Sequence, residues 1–314
     1  MIVSTVTLKE DILLMVKERT GEDIICCSKL TDLSPEQLAL VEVLISKNEF
    51  FEESTLDLFP NLKFLYVMSA GVDNLPFHAL RKREVIVCNA SGIHGKQMCE
   101  HAIGVMISFT RDIGTSIRNQ VKKQWGPPKR LDELSGKTLV IIGAGRIGQE
   151  IAKAASFFGM QVIGLKRTVE ALEHFDAVLG MDKIYEAFGQ ADFIILVTPL
   201  TKDTVNLIGK DEFAAMKHTA IFINLSRGET VDEESLILAL KNGSIAGAGL
   251  DVFRNEPLPS ESELWEMENV IITPHIAGIT HNYVEKSIAH FVKNLLLYKN
   301  GQELLSPVNL NECY

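Results

Sequence analysis

Residues 139 to about 274 repeat one pattern: short, nearly continuous apolar runs separated by stretches of helical period. The runs are Leu139–Ile142, Gln161–Leu165, Ala177–Leu179, Phe193–Val197, Ala220–Asn224, Ala246–Leu250 and Val270–Ile272. Runs of this length without polar alternation predict strands covered on both faces, as in a parallel sheet flanked by helices. Residues 1 to about 95 show the same rhythm, with strands predicted at Asp23–Cys27, Leu40–Ile45, Phe64–Met68 and Val85–Cys88. A long helix is predicted next, from Gly95 to Gln124, and Gly126-Pro127-Pro128 stops it. The last segment, Asn282 to Tyr298, is again helical and amphipathic. There is no tandem repeat or low-complexity stretch. The fold class expected is α/β, with two doubly wound parallel-sheet domains. One comprises residues 1–100 plus 283–314, and the other, 101–282, is inserted within it.

One turn in this pattern carries chemistry. Gly143-Ala144-Gly145-Arg146-Ile147-Gly148 follows the apolar run Thr138–Ile142 and opens a helical stretch. A G-x-G-x-x-G turn between strand and helix suits a dinucleotide: the glycines permit a tight turn, close backbone approach to a pyrophosphate and close helix–strand contact. The helix N-terminus then presents N–H groups and the positive end of its dipole to the phosphates.

Composition narrows the classes. A chain of 314 residues that is 46% hydrophobic can bury two cores. The formal net charge of −10 argues against nucleic-acid or membrane-surface binding, though a cleft can still be locally basic. No apolar run approaches the ~20 residues of a membrane span, and Met1–Thr5 does not start like a signal peptide. The cysteines (Cys26, Cys27, Cys88, Cys99, Cys313) are odd in number with no C-x-x-C, so they read as reduced cytoplasmic thiols. His94 and His101 flank Cys99 at a spacing that matches no familiar metal set, so no metal is expected. His281 and His290 read as surface helix residues.

Polar residues gather in the loops after the strands of the second block, where a doubly wound sheet binds ligands. After the glycine turn come Thr198-Pro199-Leu200-Thr201, Asn224-Leu225-Ser226-Arg227-Gly228, Asp251-Val252-Phe253-Arg254-Asn255-Glu256-Pro257 and Thr273-Pro274-His275-Ile276-Ala277-Gly278. Together with Ser69-Ala70-Gly71-Val72-Asp73, these motifs make the chain resemble the D-isomer-specific 2-hydroxyacid dehydrogenases, from residue 69 to residue 275. The subgroup that looks nearest is the NADPH-dependent glyoxylate/hydroxypyruvate reductases. The resemblance implies a Rossmann cofactor domain inserted in a flavodoxin-like substrate domain, a cleft between them, and hydride transfer between a nicotinamide and a 2-keto or 2-hydroxy acid.

The chemistry gives each residue a reason. A 2-keto acid presents a carboxylate beside a ketone, and the planar donor fork of Arg227 can bridge both. Hydride addition leaves negative charge on the ketone oxygen. His275 is the expected proton donor, and Glu256 would hold its other ring nitrogen and favour the imidazolium. The resemblance also gives Ser69, Ala70, Gly71 and Val72 the substrate carboxylate, through backbone N–H groups. It places Gly143, Gly145, Arg146, Ile147, Gly148, Thr198, Pro199, Thr204, Leu225, Ser226, His275 and Gly278 along the cofactor. Asp251 resembles the residue that meets the nicotinamide carboxamide, with a local structural bond as the alternative.

An NAD site usually carries an acid about 20 residues past the glycine turn, on the ribose hydroxyls. Here the second strand ends in Lys166-Arg167-Thr168. Lys166 stands where the family's NAD users carry aspartate. Two cations and a hydroxyl suit a 2′-phosphate, so NADP(H) is expected, with NAD(H) as the alternative. The chain ends soon after the second block, leaving no room for the regulatory domain of some serine-pathway relatives. Clustered Ile103, Val105, Met106, Ile107 and Phe109 on the long helix suggest a homodimer through this region, in which Trp125 packs at the interface, reaches a neighbouring active site as in the reductases the chain resembles, or is simply core or exposed. Formate or phosphite oxidation would be a different chemistry on this fold, and Glu256 speaks against the formate case. A nucleotide-sensing corepressor-like protein is the alternative of another class.

Overall fold

The computed structural model describes residues 1–47, 52–126 and 131–312. In chain order its first elements are β1 (Ile2–Ser4), α1 (Glu10–Thr20), β2 (Ile24–Cys26), α2 (Pro35–Ala39), β3 (Val43–Ser46), α3 (Glu53–Asp57), β4 (Phe64–Val67), α4 (Phe77–Lys82) and β5 (Ile86–Asn89). Then come α5 (Gly95–Thr110), α6 (Ile113–Val121), β6 (Thr138–Ile142), α7 (Arg146–Phe157), β7 (Gln161–Leu165), β8 (Ala177–Leu179), α8 (Ile184–Phe188) and β9 (Phe193–Leu196). The chain closes with α9 (Lys210–Ala215), β10 (Ile221–Asn224), α10 (Glu233–Lys241), β11 (Gly247–Leu250), β12 (Val270–Ile272) and α11 (Tyr283–Lys299). It divides into two compact units, Met1–Ile93 with Thr280–Tyr314, and His94–Ile279. α5 is one continuous helix from Gly95 and lies wholly in the second of these units.

The first unit holds a five-stranded parallel sheet in the order β2-β1-β3-β4-β5, the flavodoxin-like order. β1 lies between β2 and β3, and the sequence reading missed it: three residues at the chain start offer no periodicity to detect. Successive side chains point to opposite faces. Leu44, Leu65, Val67 and Val87 therefore join one core. Val43, Ile45, Phe64, Tyr66 and Cys88 join the other, where α1 and α11 cover them. Tyr66 packs edge-on against Phe291 at 5.3 Å, and its hydroxyl donates to the Ser287 carbonyl at 2.9 Å. His290 Nδ1 lies 3.0 Å from the same hydroxyl, so His290 is a half-buried partner rather than a surface residue. His281 is exposed, in the turn before α11.

The second unit holds seven parallel strands in the order β12-β11-β10-β9-β6-β7-β8. α5 and α7 cover the face carrying Leu139, Ile141, Val162, Ile195 and Ile223. α8, α9 and α10 cover Val140, Ile142, Leu165, Ile194, Leu196 and Phe222 on the other face. The strand order reverses between β6 and β9, which makes their carboxyl ends the switch point where such sheets bind ligands.

The helix expected over 95–124 is two helices. α5 ends at Thr110, whose hydroxyl bonds the Met106 and Ile107 carbonyls, and Asp112 turns the chain in the left-handed region at φ 50° before α6 begins. Of the expected cluster on α5, Ile103, Val105 and Met106 are buried in the unit's own core, with Ile107 and Phe109 partly buried against it. The exposed apolar stripe lies instead on α6 and beyond it: Ile113, Ile117, Val121 and a fully exposed Trp125, four residues apart. Pro127 and Pro128 of the expected stop, and Cys313, lie outside the described residues.

Candidate active site

β6 delivers the glycine turn at the switch point. Gly143 has φ 99°, and a Cβ there would lie 2.8 Å from the Val197 carbonyl oxygen, so the loops after β6 and β9 touch through glycine. A Cβ on Gly148 would lie 2.5 Å from the Gly143 oxygen, which holds α7 tight against the turn. Gly145 faces open space and is the N-cap of α7, with no side chain closing the helix end. Thr198 Oγ1, in the neighbouring loop, is buried and has no hydrogen-bond partner among the described residues. A buried hydroxyl without a partner is costly unless a ligand supplies one. An open glycine, an uncapped helix start and an orphaned hydroxyl together fit a dinucleotide at this turn.

Other residues of the expected cofactor set are placed unevenly. Thr204 Oγ1 donates to the Pro199 carbonyl at 2.7 Å and accepts from Thr201 N–H at 2.7 Å, so its hydroxyl shapes its own loop. Leu225 and Ser226 are buried, and Ser226 Oγ donates to the Thr198 carbonyl, tying the β9 and β10 loops together. Gly278 approaches His94, with a Cβ position 3.1 Å from its ring. At the end of β7, Lys166 is half-buried and ion-paired with Glu170, while Arg167 and Thr168 are exposed.

β10, β11 and β12 end beside one another and carry the expected reacting groups. His275 Nδ1 lies 2.7 Å from Glu256 Oε2, and Glu256 Oε1 accepts from Phe253 N–H at 3.0 Å. A carboxylate only accepts, so Nδ1 carries the proton in this bond and Nε2 is the nitrogen left for chemistry. The Glu256 hydrogen bond holds the His275 pKa above its ordinary value, against desolvation and the positive charge of Arg227. Burial pushes the Glu256 carboxyl up, but the His275 and Phe253 hydrogen bonds and the charges of His275 and Arg227 outweigh it and hold it below the usual range. Arg227 Nη1 donates to the Ser226 carbonyl at 2.8 Å, and Asn224 Nδ2 donates to the Arg227 carbonyl at 3.0 Å, so the arginine starts from a fixed backbone.

Two further residues shape this cluster. Gly228 is buried, and a Cβ on it would lie 1.9 Å from the Phe253 carbonyl carbon; the Arg227 loop therefore sits directly on the Glu256 loop. Asp251 is 2% exposed. Its Oδ1 accepts from Thr273 Oγ1 at 2.6 Å and Ile276 N–H at 2.9 Å, and its Oδ2 accepts from Ala277 N–H at 2.9 Å. The local structural bond foreseen as the alternative for Asp251 is therefore present. Glycine after arginine reads as an ordinary turn, and only the fold reveals that the second loop arrives there. Among the described residues no group of three or more His, Cys, Asp or Glu is arranged to hold a metal, and no helix is long and apolar enough to cross a membrane.

In the first unit, Ser69–Val72 forms the loop after β4. Ser69 Oγ donates to the Gly71 carbonyl at 2.6 Å, Ala90 N–H to the Ser69 carbonyl at 2.9 Å, and Asn89 Nδ2 to the Ala70 carbonyl at 2.7 Å. The carbonyls are thus turned inward. The N–H groups of Ala70, Gly71 and Val72 make no hydrogen bond among the described residues.

Comparison with known proteins places this geometry. The family described as D-isomer specific 2-hydroxyacid dehydrogenase, NAD binding domain, matches residues 103–277. The chain is 33% identical to a glyoxylate/hydroxypyruvate reductase B of Klebsiella pneumoniae, with 96% of each chain covered. A crystal structure of a D-isomer specific 2-hydroxyacid dehydrogenase family protein from Aeromonas salmonicida is 30% identical, with a TM-score of 0.87 and 98% of each chain covered. A D-isomer specific 2-hydroxyacid dehydrogenase from Xanthobacter autotrophicus, solved with NADPH and MES, is 27% identical. Its TM-score is 0.84, covering 100% of this chain and 99% of that one.

Proposed function

The chain belongs to the D-isomer-specific 2-hydroxyacid dehydrogenases, an oxidoreductase family, and we propose that it reduces a small 2-keto acid, such as glyoxylate or hydroxypyruvate, to the D-2-hydroxy acid with NADPH. The observation that carries this reading is the His275–Glu256 pair at 2.7 Å, with Arg227 close enough to bear on the charge of both. When bound, the nicotinamide supplies the hydride. Arg227 binds the substrate carboxylate and ketone through its fork and polarises the ketone. His275 gives the proton on Nε2 to the ketone oxygen, and Glu256 fixes the ring and stabilises its charged form. In the oxidative direction the neutral ring takes the proton back. For the first unit we propose that Ser69–Val72 binds a carboxylate through backbone N–H groups.

Gly143–Gly148 would hold the pyrophosphate, and Thr198 and Pro199 would lie along the cofactor. Lys166, Arg167 and Thr168 would meet the 2′-phosphate. Support for NADPH comes from the cations where an NAD site usually carries an acid, and from NADPH in the Xanthobacter relative. The exposed stripe Ile113–Ile117–Val121–Trp125 supports a homodimer. A cytoplasmic location follows from the reading of the cysteines as reduced thiols.

The test is direct. Purified protein is mixed with NADPH or NADH and a panel of 2-keto acids, and absorbance is followed at the reduced nicotinamide band. Turnover of glyoxylate or hydroxypyruvate, faster with NADPH, is expected. Tight nucleotide binding with no turnover on any member would refute the enzymatic reading.

A further inference from the structure

His275 is a non-glycine residue in the left-handed region, at φ 53°. Such a conformation is costly for a residue with a side chain and persists only where the surroundings over-determine it. Here the restraint comes from one buried carboxylate and its own main chain. His275 N–H donates to the Asp251 carbonyl at 2.8 Å, and the next two N–H groups, of Ile276 and Ala277, donate to the Asp251 side chain. On the other side of His275, Thr273 Oγ1 donates to Asp251 Oδ1 at 2.6 Å. Asp251 thus grips the Thr273 side chain before the reacting ring and the backbone at and after it.

The threonine hydroxyl has a second neighbour, His101 on α5, with Nε2 at 3.2 Å. A hydroxyl owns one proton, and the ionised Asp251 can only accept it. His101 must therefore carry its proton on Nε2 and donate to Thr273. His101 Nε2 lies 4.0 Å from Asp251 Oδ1, so the threonine is the direct link between them. The chain His101 Nε2–H, Thr273 Oγ1–H, Asp251 carboxylate runs from α5 to the loop that holds His275.

We infer that Thr273, oriented by His101, is a positioning residue: its hydroxyl keeps Asp251 aimed at the 275–277 backbone, and so keeps the His275 ring on Glu256. The inference rests on the reading of His275 as proton donor. Without the hydroxyl, Asp251 loses one of three donors, the left-handed turn loosens, and the Nδ1–Glu256 bond lengthens. That bond is what raises the affinity of His275 for its proton.

The experiment compares Thr273→Val, which keeps the shape but not the hydroxyl, with Thr273→Ser, which keeps the hydroxyl. In cofactor-free protein the His275 Cε1–H resonance is titrated by NMR. Thr273→Val is expected to titrate at lower pH than the parent, and Thr273→Ser with the parent. Thr273→Val should also lower kcat by about tenfold to a hundredfold, the scale of a small misplacement of a reacting group. The NADPH dissociation constant should stay within about twofold, which shows that the variant is folded. His101→Leu should move kcat and the titration the same way, by less. An unchanged His275 titration and kcat in Thr273→Val, with His275→Ala inactive, would overturn the inference alone; so would a serine variant as impaired as the valine. Full turnover in His275→Ala would overturn the proton-donor reading and the inference with it.

Discussion

Gly228→Ala places a single methyl where two loops meet. The new Cβ would lie 1.9 Å from the Phe253 carbonyl carbon, 2.1 Å from its oxygen and 2.2 Å from Arg254 N. All three are backbone atoms, so no flexible side chain can swing aside. Ordinary carbon contact begins near 3.5 Å, so the loops must part by about 1.6 Å. Arg227 precedes the glycine, and Phe253 N–H holds Glu256, so the displacement falls between the guanidinium and the His275–Glu256 pair. A misplacement of about 1 Å can cost roughly 10²-fold in rate, so kcat/KM for the best keto acid of the panel should fall by about that factor. Overpacking of a buried backbone contact costs about 1–3 kcal/mol, which in a domain of this size lowers Tm by about 2–4 °C per kcal/mol. The glycine turn at the end of β6 is two strands away, so NADPH binding should stay within about threefold. Steady-state kinetics, nucleotide titration and a thermal melt give the three numbers. Parent-like kcat/KM and Tm together would refute the account of how Arg227 is set against Glu256.

Other perturbations test separate groups. His275→Ala should reduce kcat by about 10²–10⁴-fold while NADPH affinity, read by fluorescence titration, stays nearly intact. Because the Glu256 hydrogen bond raises the His275 pKa, the proton-donating form survives above the ordinary histidine value, and reduction declines only as pH rises through the raised pKa. Glu256→Gln should therefore move the basic limb of the kcat/KM profile for reduction to lower pH, and an unmoved limb would remove Glu256 from that role. Replacing Lys166 with Asp and Arg167 with Ala should shift the ratio of kcat/KM values toward NADH; an unchanged ratio would mean that the 2′-phosphate is read elsewhere. Ile117→Lys with Val121→Glu should leave a folded monomer by sedimentation if the α6 stripe is the dimer contact.

The second sheet was the most legible part of the fold. All seven of its strands, β6 to β12, fall within a residue of their expected limits, the half-buried β8 and β12 included, because each is a short apolar run between stretches of another pattern. β1 escaped because three residues carry no period. The break at Arg111-Asp112 escaped because it replaces no apolar position: it depends on how Thr110 and Asp112 set the backbone. Arg227, Glu256 and His275 could be picked out from their loops, since loops after parallel strands open at one edge of a sheet. What holds them could not. The contact of Gly228 with Phe253 and the three-donor grip of Asp251 are long-range events, and neither residue type announces its partner.

α11 closes the core of the first sheet, with Phe291 and Ile288 packed on Phe64 and Tyr66. On a ribosome this order of contacts imposes a wait. The opening 93 residues emerge with this side of their sheet covered by α1 alone, and the second covering helix is synthesised only after Ile279. At about 5–20 residues per second that gap lasts roughly 10–40 s, during which Tyr66 and Phe64 lack Phe291 and the rest of α11 while the intervening unit can already complete itself. The segment translated first is thus the one that matures last, and it is the stretch where a nascent-chain chaperone would find exposed aromatic surface.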